Sequence, residues 1–282
     1  MNTQSNPLFW RDARMTHVEL RKVEDGRQMC YAPHSHTEWS IGAITSGEST
    51  FQYRNDHCRV SAGDLVLMNP EWVHACNPID NQPWGYLMLY VDTGWLTDLR
   101  YGAGLLPGPH WQDISLATVS GPHWYERYSR MADCLLDPQR DLLDKQTEVV
   151  EFLSDLMHEL ARQPVAQEPQ EPQAPRALQA LAHYLDGHVA EDVSLDALCE
   201  ISGYSAGHLI RAFRQYFGLT PHAYLVNRRV QFGRRELANG TPIAEAALNA
   251  GFTDQPHFQR TFKRLMAATP NQYRCPSANY EI

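Results

Sequence analysis

Three histidines and a glutamate are the residues of this chain whose types and spacing could do chemistry. His34, His36 and Glu38 alternate, and His74 follows in the stretch GDLVLMNPEWVHACN at 63–77. On an extended strand alternate side chains point to the same side, so the first three share a face. Imidazole and carboxylate together suit first-row divalent metals. The same groups also serve as the polar part of an organic-ligand pocket, with Trp72, Tyr86 and Tyr90 supplying aromatic lining. Histidines that merely satisfy local hydrogen bonds are the third reading. A second set is cationic and lies far along the chain: Arg211 and Arg214 beside Gly207 and His208, then Arg260 and Lys263 beside Gln255, Pro256 and His257. Arginine can be bidentate to guanine, and small neighbours let a helix approach a groove, which is the chemistry of reading DNA.

The composition bounds what can carry these residues. The chain has 282 residues, enough for two ordinary domains, with 43% hydrophobic and 20% charged residues, as in soluble globular proteins. No run of 18 apolar residues exists, which argues against a membrane span, and Met1–Asp12 is polar, which argues against a secretory signal. The cysteines at 30, 58, 76, 134, 199 and 275 form no C-x-x-C pair. They read as isolated reduced thiols of a cytoplasmic protein, without a zinc site or disulfide frame. The net charge of -9 is unfavourable for a DNA binder until it is split. Residues 1–175 carry 13 basic and 24 acidic side chains (net -11), and residues 176–282 carry 11 and 9 (net +2). Seven of those 11 fall in Arg228–Arg235 and Arg260–Arg264, and local placement governs phosphate contact more than the total does.

The elements that position these residues divide at a linker. Gln163–Pro175 reads QPVAQEPQEPQAP, four prolines and almost nothing apolar, so it is extended and semi-rigid. Residues 1–162 precede it and 176–282 follow. Trp39–Thr45, Thr50–Arg54, Leu65–Asn69 and Tyr86–Val91 are short, β-branched and aromatic, and bounded by turn residues, so 17–92 predicts an all-β sandwich or barrel. Residues 121–162 turn helical. There Val149, Leu153, Leu156 and Leu160 recur at spacings of four, three and four, which suits either a dimerisation seam or a helix covering the barrel.

After the linker the pattern is helical and repeats. HLIRAFR at 208–214 matches HFQRTFK at 257–263, and TPHAY at 220–224 matches TPNQY at 269–273. A repeat means one structural unit used twice. In the first copy Ser194 caps a helix carrying Leu195, Leu198 and Ile201, Gly203 turns the chain, and Ser205 caps a helix whose Leu209, Phe213 and Phe217 share a face. In the second, Thr241-Pro242 opens a helix with Ile243, Ala246, Ala247 and Ala250 buried. Gly251 turns, and Asp254 caps a helix with Phe258, Phe262 and Leu265 inside. Two short helices about a glycine turn make a helix-turn-helix. His222–Asn239 forms one long helix between the copies. A helical interaction domain with merely solvated charges is the alternative.

Residues 176–274, with GYSAGHLIRAFRQYFGLTPHAYLVNRR and IAEAALNAGFTDQPHFQRTFKRLMAATPNQYR, resemble the DNA-binding domain of the AraC/XylS family of bacterial regulators. The resemblance implies two helix-turn-helix units bridged by a long helix and entering adjacent major-groove segments. It carries Gly207, His208 and Arg211 into the first reading helix and Gln255, Pro256, His257 and Arg260 into the second. Residues 30–92 resemble the two motifs of the cupin barrel, as in the sensor half of such regulators, with Glu38 too close to His36 and Trp72 in place of a glycine.

The expected protein is therefore α+β: an N-terminal cupin-like β-barrel with trailing helices, and a C-terminal all-α domain with two helix-turn-helix units. It is a cytoplasmic, ligand-responsive regulator of transcription, not an enzyme, with no metal and no cofactor. Its partners are double-stranded DNA, a second copy of itself, RNA polymerase, and a small organic effector. An amine or amino acid is favoured by Glu38 and the -11 charge, with a sugar as rival. The alternative is a metal-dependent cupin enzyme or metal sensor fused to a DNA-binding domain.

Overall fold

A computed structural model describes residues 7–54, 56–162 and 174–274. Most of the Gln163–Pro175 linker, part of Met1–Asp12, and Cys275 lie outside the described residues. Nine strands form two sheets in the first half. They are β1 (Leu8–Trp10), β2 (Val18–Val23), β3 (Trp39–Ser46), β4 (Glu48–Tyr53), β5 (Asp56–Ser61), β6 (Leu65–Met68), β7 (His74–Pro78), β8 (Gly85–Val91) and β9 (Thr118–Val119). The larger sheet runs β1-β2-β8-β3-β6-β9 and the smaller β5-β4-β7. Helices α1 (Thr93–Gly102), α2 (Pro122–Leu136) and α3 (Leu142–Arg162) follow.

The middle strands of the large sheet read apolar on both faces because both faces are buried. Trp39, Ile41, Ala43, Leu65, Leu67, Leu87, Leu89 and Val91 pack outward onto α2 and α3. Ile44, Val66, Met68 and Tyr86 face the small sheet, where Phe51, Tyr53 and Val60 meet them. Periodicity left the inward face of 86–91 undecided; Tyr86, Met88 and Tyr90 turn toward the barrel interior.

The apolar row on α3 requires a correction. Val149, Leu153 and Leu156 are fully buried, and Leu160 packs beside them, against Tyr128, Met131 and Leu135 of α2 and the outer face of the large sheet. This is the covering helix, not a dimer seam: the chain's own core already occupies the four side chains.

The second half is helical: α4 (Arg176–Gly187), α5 (Leu195–Ser202), α6 (Ala206–Phe217), α7 (Pro221–Ala238), α8 (Ile243–Asn249), α9 (Gln255–Met266) and α10 (Pro270–Arg274). Two cores form. Leu178, Leu181, Leu185, Leu198, Leu209 and Phe213 make the first. Ala246, Ala247, Ala250, Phe258, Phe262 and Leu265 make the second. Helix α7 serves both, through Tyr224 and Leu225 on one side and Val230 and Leu237 on the other. Gly203 and Gly251 sit at φ 71° and 76°, left-handed conformations that a side chain resists, and turn α5 into α6 and α8 into α9. Three local expectations differ. Leu195 and Ile201 are exposed, and Leu198 is the buried anchor of α5, with Cys199 packed beside it. Thr241 does not cap α8, which begins after Pro242; its hydroxyl reaches Glu236 instead. Ser205 precedes α6 without a capping side-chain bond.

Candidate effector cavity and nucleic-acid interface

Strands β3, β6, β7 and β8 aim side chains into one interior cavity. Tyr31, His34, His36, His74, Tyr86 and Tyr90 give it a polar end, and Ile44, Val66, Met68 and Met88 an apolar one. His34 is not on a strand; it makes an isolated antiparallel bridge to His74, and residues 35–38 form a loop. The three imidazoles cluster, with ring centroids 4.6 Å (His34–His74), 4.7 Å (His36–His74) and 6.4 Å (His34–His36) apart. Each Nδ1 lies 2.8–2.9 Å from a backbone carbonyl, of Ala32, Glu38 and Trp72 respectively. A carbonyl only accepts, so each Nδ1 carries the hydrogen and each Nε2 keeps a lone pair. Ser40 Oγ sits 3.4 Å from Nε2 of His36; those of His34 and His74 have no protein partner among the described residues.

Burial, and next the neighbouring His74 ring, hold the His34 pKa down at about 3. Burial holds His74 at about 4. The same causes, with the Arg234 charge, keep His36 well below its usual value. At neutral pH the cavity therefore offers three neutral acceptors. Among the described residues no cluster of three metal-ligating groups has the geometry to hold an ion.

Two expected lining residues lie elsewhere. Glu38 leaves the cavity and pairs with Arg234 of α7. Trp72 stacks on Tyr53 at 5.1 Å with the Arg54 guanidinium 4.0 Å over its ring. The cavity lining thus holds no carboxylate, which removes the ground for preferring a cationic effector. Tyr31 and Met88 were missed. Period two from Tyr86 and Tyr90 points to Met88, whereas Tyr31, in a loop, carried no signal. The cavity is about 30 Å³, room for a water or two, so an organic molecule needs side chains to move. Met68 and Met88, unbranched and soft, are suited to that.

In the helical half, Gly207, His208, Arg211 and Arg214 are exposed on α6, and Pro256, His257, Arg260 and Lys263 on α9, with Gln255 half-buried. Asp254 accepts from the backbone N–H of His257 and fixes the start of α9. Arg211, Arg214, Arg260 and Lys263 have no acidic partner among the described residues. The other basic cluster behaves differently. Arg228 pairs with Asp186 and Glu71 at 2.7 Å, Arg229 donates to the carbonyls of Val189 and Glu191, and Arg234 is buried against Glu38. Three of the four arginines in 228–235 are therefore structural, which the charge count alone had hidden.

The halves are bolted together. Buried Arg21 of β2 donates to the carbonyls of Met266 and Ala267 at the end of α9. Arg11 donates to the carbonyl of Tyr273, whose hydroxyl donates to Glu19. No hydropathy pattern marks Arg21, a cation inside a strand.

Comparison with known proteins finds two family matches. Residues 21–185 match the AraC-like ligand binding domain family and residues 198–275 a helix-turn-helix domain family. The chain is 26% identical over 248 residues to the HTH-type transcriptional regulator YbfI of Bacillus subtilis, covering 86% of each. It is 30% identical over 240 residues to an HTH-type regulator of Staphylococcus aureus, where the match takes in 83% of this chain and 31% of that longer one. The fold is like that of ToxT from Vibrio cholerae O395, with a TM-score of 0.56 at 11% identity over 96% of both chains. No helix among the described residues is long and apolar enough to cross a membrane. A ligand-binding domain matched over more than half the chain, followed by a helix-turn-helix domain, places this protein among regulators and not enzymes: it belongs to the AraC family of transcription regulators.

Proposed function

We propose that the chain regulates transcription from the cytoplasm by inserting α6 and α9 into successive major-groove segments of one duplex, under the control of a small effector held in the barrel. The carrying observation is the doubled exposed row. Arg211 and Arg214 on α6, and Arg260 and Lys263 on α9, stand free on helices held by equivalent buried faces and glycine turns. Gly207, His208, Gln255, Pro256 and His257 complete the two reading faces. Selection from random duplexes tests this: an enriched site with strong salt dependence is expected, and a pool with no enriched duplex refutes it. A homodimer at paired sites and contact with RNA polymerase complete the reading.

For the effector, neutral acceptors favour a donor-rich neutral molecule. Three imidazole Nε2 atoms and the tyrosine hydroxyls can receive hydrogen bonds from a polyol or sugar, with aromatic rings to stack on. An amine finds no carboxylate in the lining. One ToxT structure holds an unsaturated fatty acid; a carboxylate here would meet uncharged imidazoles, which do not draw it in. A thermal-shift screen separates the classes, because a ligand at 100 times its dissociation constant adds about 2.7 kcal/mol. Stabilisation by polyols that His36→Phe abolishes supports the reading, and stabilisation by amines or carboxylates alone overturns it.

A further inference from the structure

Two short stretches of the barrel have a ligand face and a docking face. Residues 31–38 and 71–74 lie side by side, joined by the His34–His74 bridge, whose backbones exchange hydrogen bonds of 3.1 and 2.9 Å. Inward, they present His34, His36 and His74 to the cavity. Outward, the same residues' neighbours hold the helical half. The Ala32 N–H donates to the carbonyl of Arg264 on α9 at 3.1 Å. The carbonyl and hydroxyl of Ser35 both accept from Asn227 Nδ2 of α7 at 3.1 Å. Glu38 pairs with Arg234, and Glu71 with Arg228. Val73 sits inside the core of the first helical unit, 3.1 Å from where Gly218 would carry a Cβ. Both helical units are thus clamped to one two-stranded ply.

We propose that this ply is the relay through which cavity occupancy controls the placement of α6 and α9. Residues of one short loop held at the His34–His74 bridge and at the start of β3 cannot move independently, so displacing His36 displaces Ser35 and Glu38. At about 30 Å³ the cavity cannot admit an organic molecule unless its methionines or the ply give way. Outward movement drives Ser35 and Glu38 against α7, so that helix must shift and trades away the Asn227 and Arg234 contacts together. Asn227 is buried, and among the described residues its Oδ1 lacks a partner and Ser35 supplies its side-chain donor's only hydrogen bonds. A contact that is lost rather than stretched makes such a dock switch between discrete arrangements. The inference rests on the effector reading only for the nature of the input.

Coupling between two sites is reciprocal, so the relay is testable without an effector. In the full chain, Asn227→Ala, on the docking face, should shift the NMR ring signals of His34, His36 and His74, whereas the exposed control Arg59→Ala should not. Met88→Trp, which overfills the cavity, should change the Kd for the duplex recovered by selection at least fivefold. Val66→Phe serves the same purpose if Met88→Trp melts early. Combined with Asn227→Ala, the filler's effect should shrink, because the dock it acts through is already loosened. Unmoved histidine signals, a Kd indifferent to folded fillers, or effects that multiply independently each overturn the relay. If instead no small molecule binds, the effector reading fails while these outcomes still judge the coupling.

Discussion

Leu153→Ala tests the covering role of the apolar row of α3 against a dimer seam. Leu153 is fully buried among Tyr128, Met131, Phe152 and the outer face of the large sheet. Truncating it removes three carbons from a packed core whose neighbours are bulky and fixed by α2. Such changes cost about 3–5 kcal/mol, transfer and cavity terms together. The N-terminal half is of a size where 1 kcal/mol moves the melting temperature by about 2–4 °C, so its transition should fall by roughly 6–20 °C. Differential scanning calorimetry reads the shift, and light scattering on the same sample reads the mass. A dimer seam predicts the reverse pattern: little change in the monomer's melting, and a halved mass. Loss of under about 1 kcal/mol with conversion to monomer would refute the intrachain packing argument.

Other expectations follow from the same geometry. Arg260→Ala should weaken the selected duplex by about 1–3 kcal/mol and relax preference at one base pair, read by binding to a set of single-substituted sites. Lys263→Ala should instead weaken all duplexes similarly and lower the slope of log K against log salt by about one. Acid should destabilise the barrel. His34, His36 and His74 have folded pKa values below their unfolded value near 6.5, so the unfolded chain binds more protons as pH falls. Their titration leaves stability unchanged above that pH, and below it stability drops by about 1.4 kcal/mol per pH unit for each imidazole still neutral in the fold, down to about 4 for His74 and about 3 for His34. Urea melts of wild type and His34→Phe compare the slopes, and an unchanged slope in the variant would remove His34 from the account. Glu38→Gln should lower the melting temperature through Arg234 while the effector still binds; a lost effector signal at unchanged melting would return Glu38 to the pocket.

The helical half was legible because its signals are local and doubled. Gly203, Gly251 and Asp254 act through their own backbones, and the matched rows at 209–217 and 258–265 need only helical period. The barrel was legible as strands but not as a site. His34, His36 and Glu38 alternate in sequence, yet the chain there is a loop, so Glu38 swings to Arg234. Trp72 likewise found Tyr53 and Arg54. What decides these positions is the other half of the chain, packed across the linker, and pairings such as Arg21 with the end of α9 span 245 residues. Period and composition describe one element at a time. They are silent on which charged side chain a distant helix will claim.

Helix α7 gives the DNA-binding half its cooperativity. With Tyr224 and Leu225 in one core and Val230 and Leu237 in the other, neither core can open without uncovering an apolar side of the shared helix. Units that share an element in this way unfold as one block, so slow amide protons of α4–α6 and α8–α9 should exchange with a single free energy. A reader built so does not fray one reading helix while the other stays on the duplex. In the proposed two-groove arrangement it would grip or release both turns together.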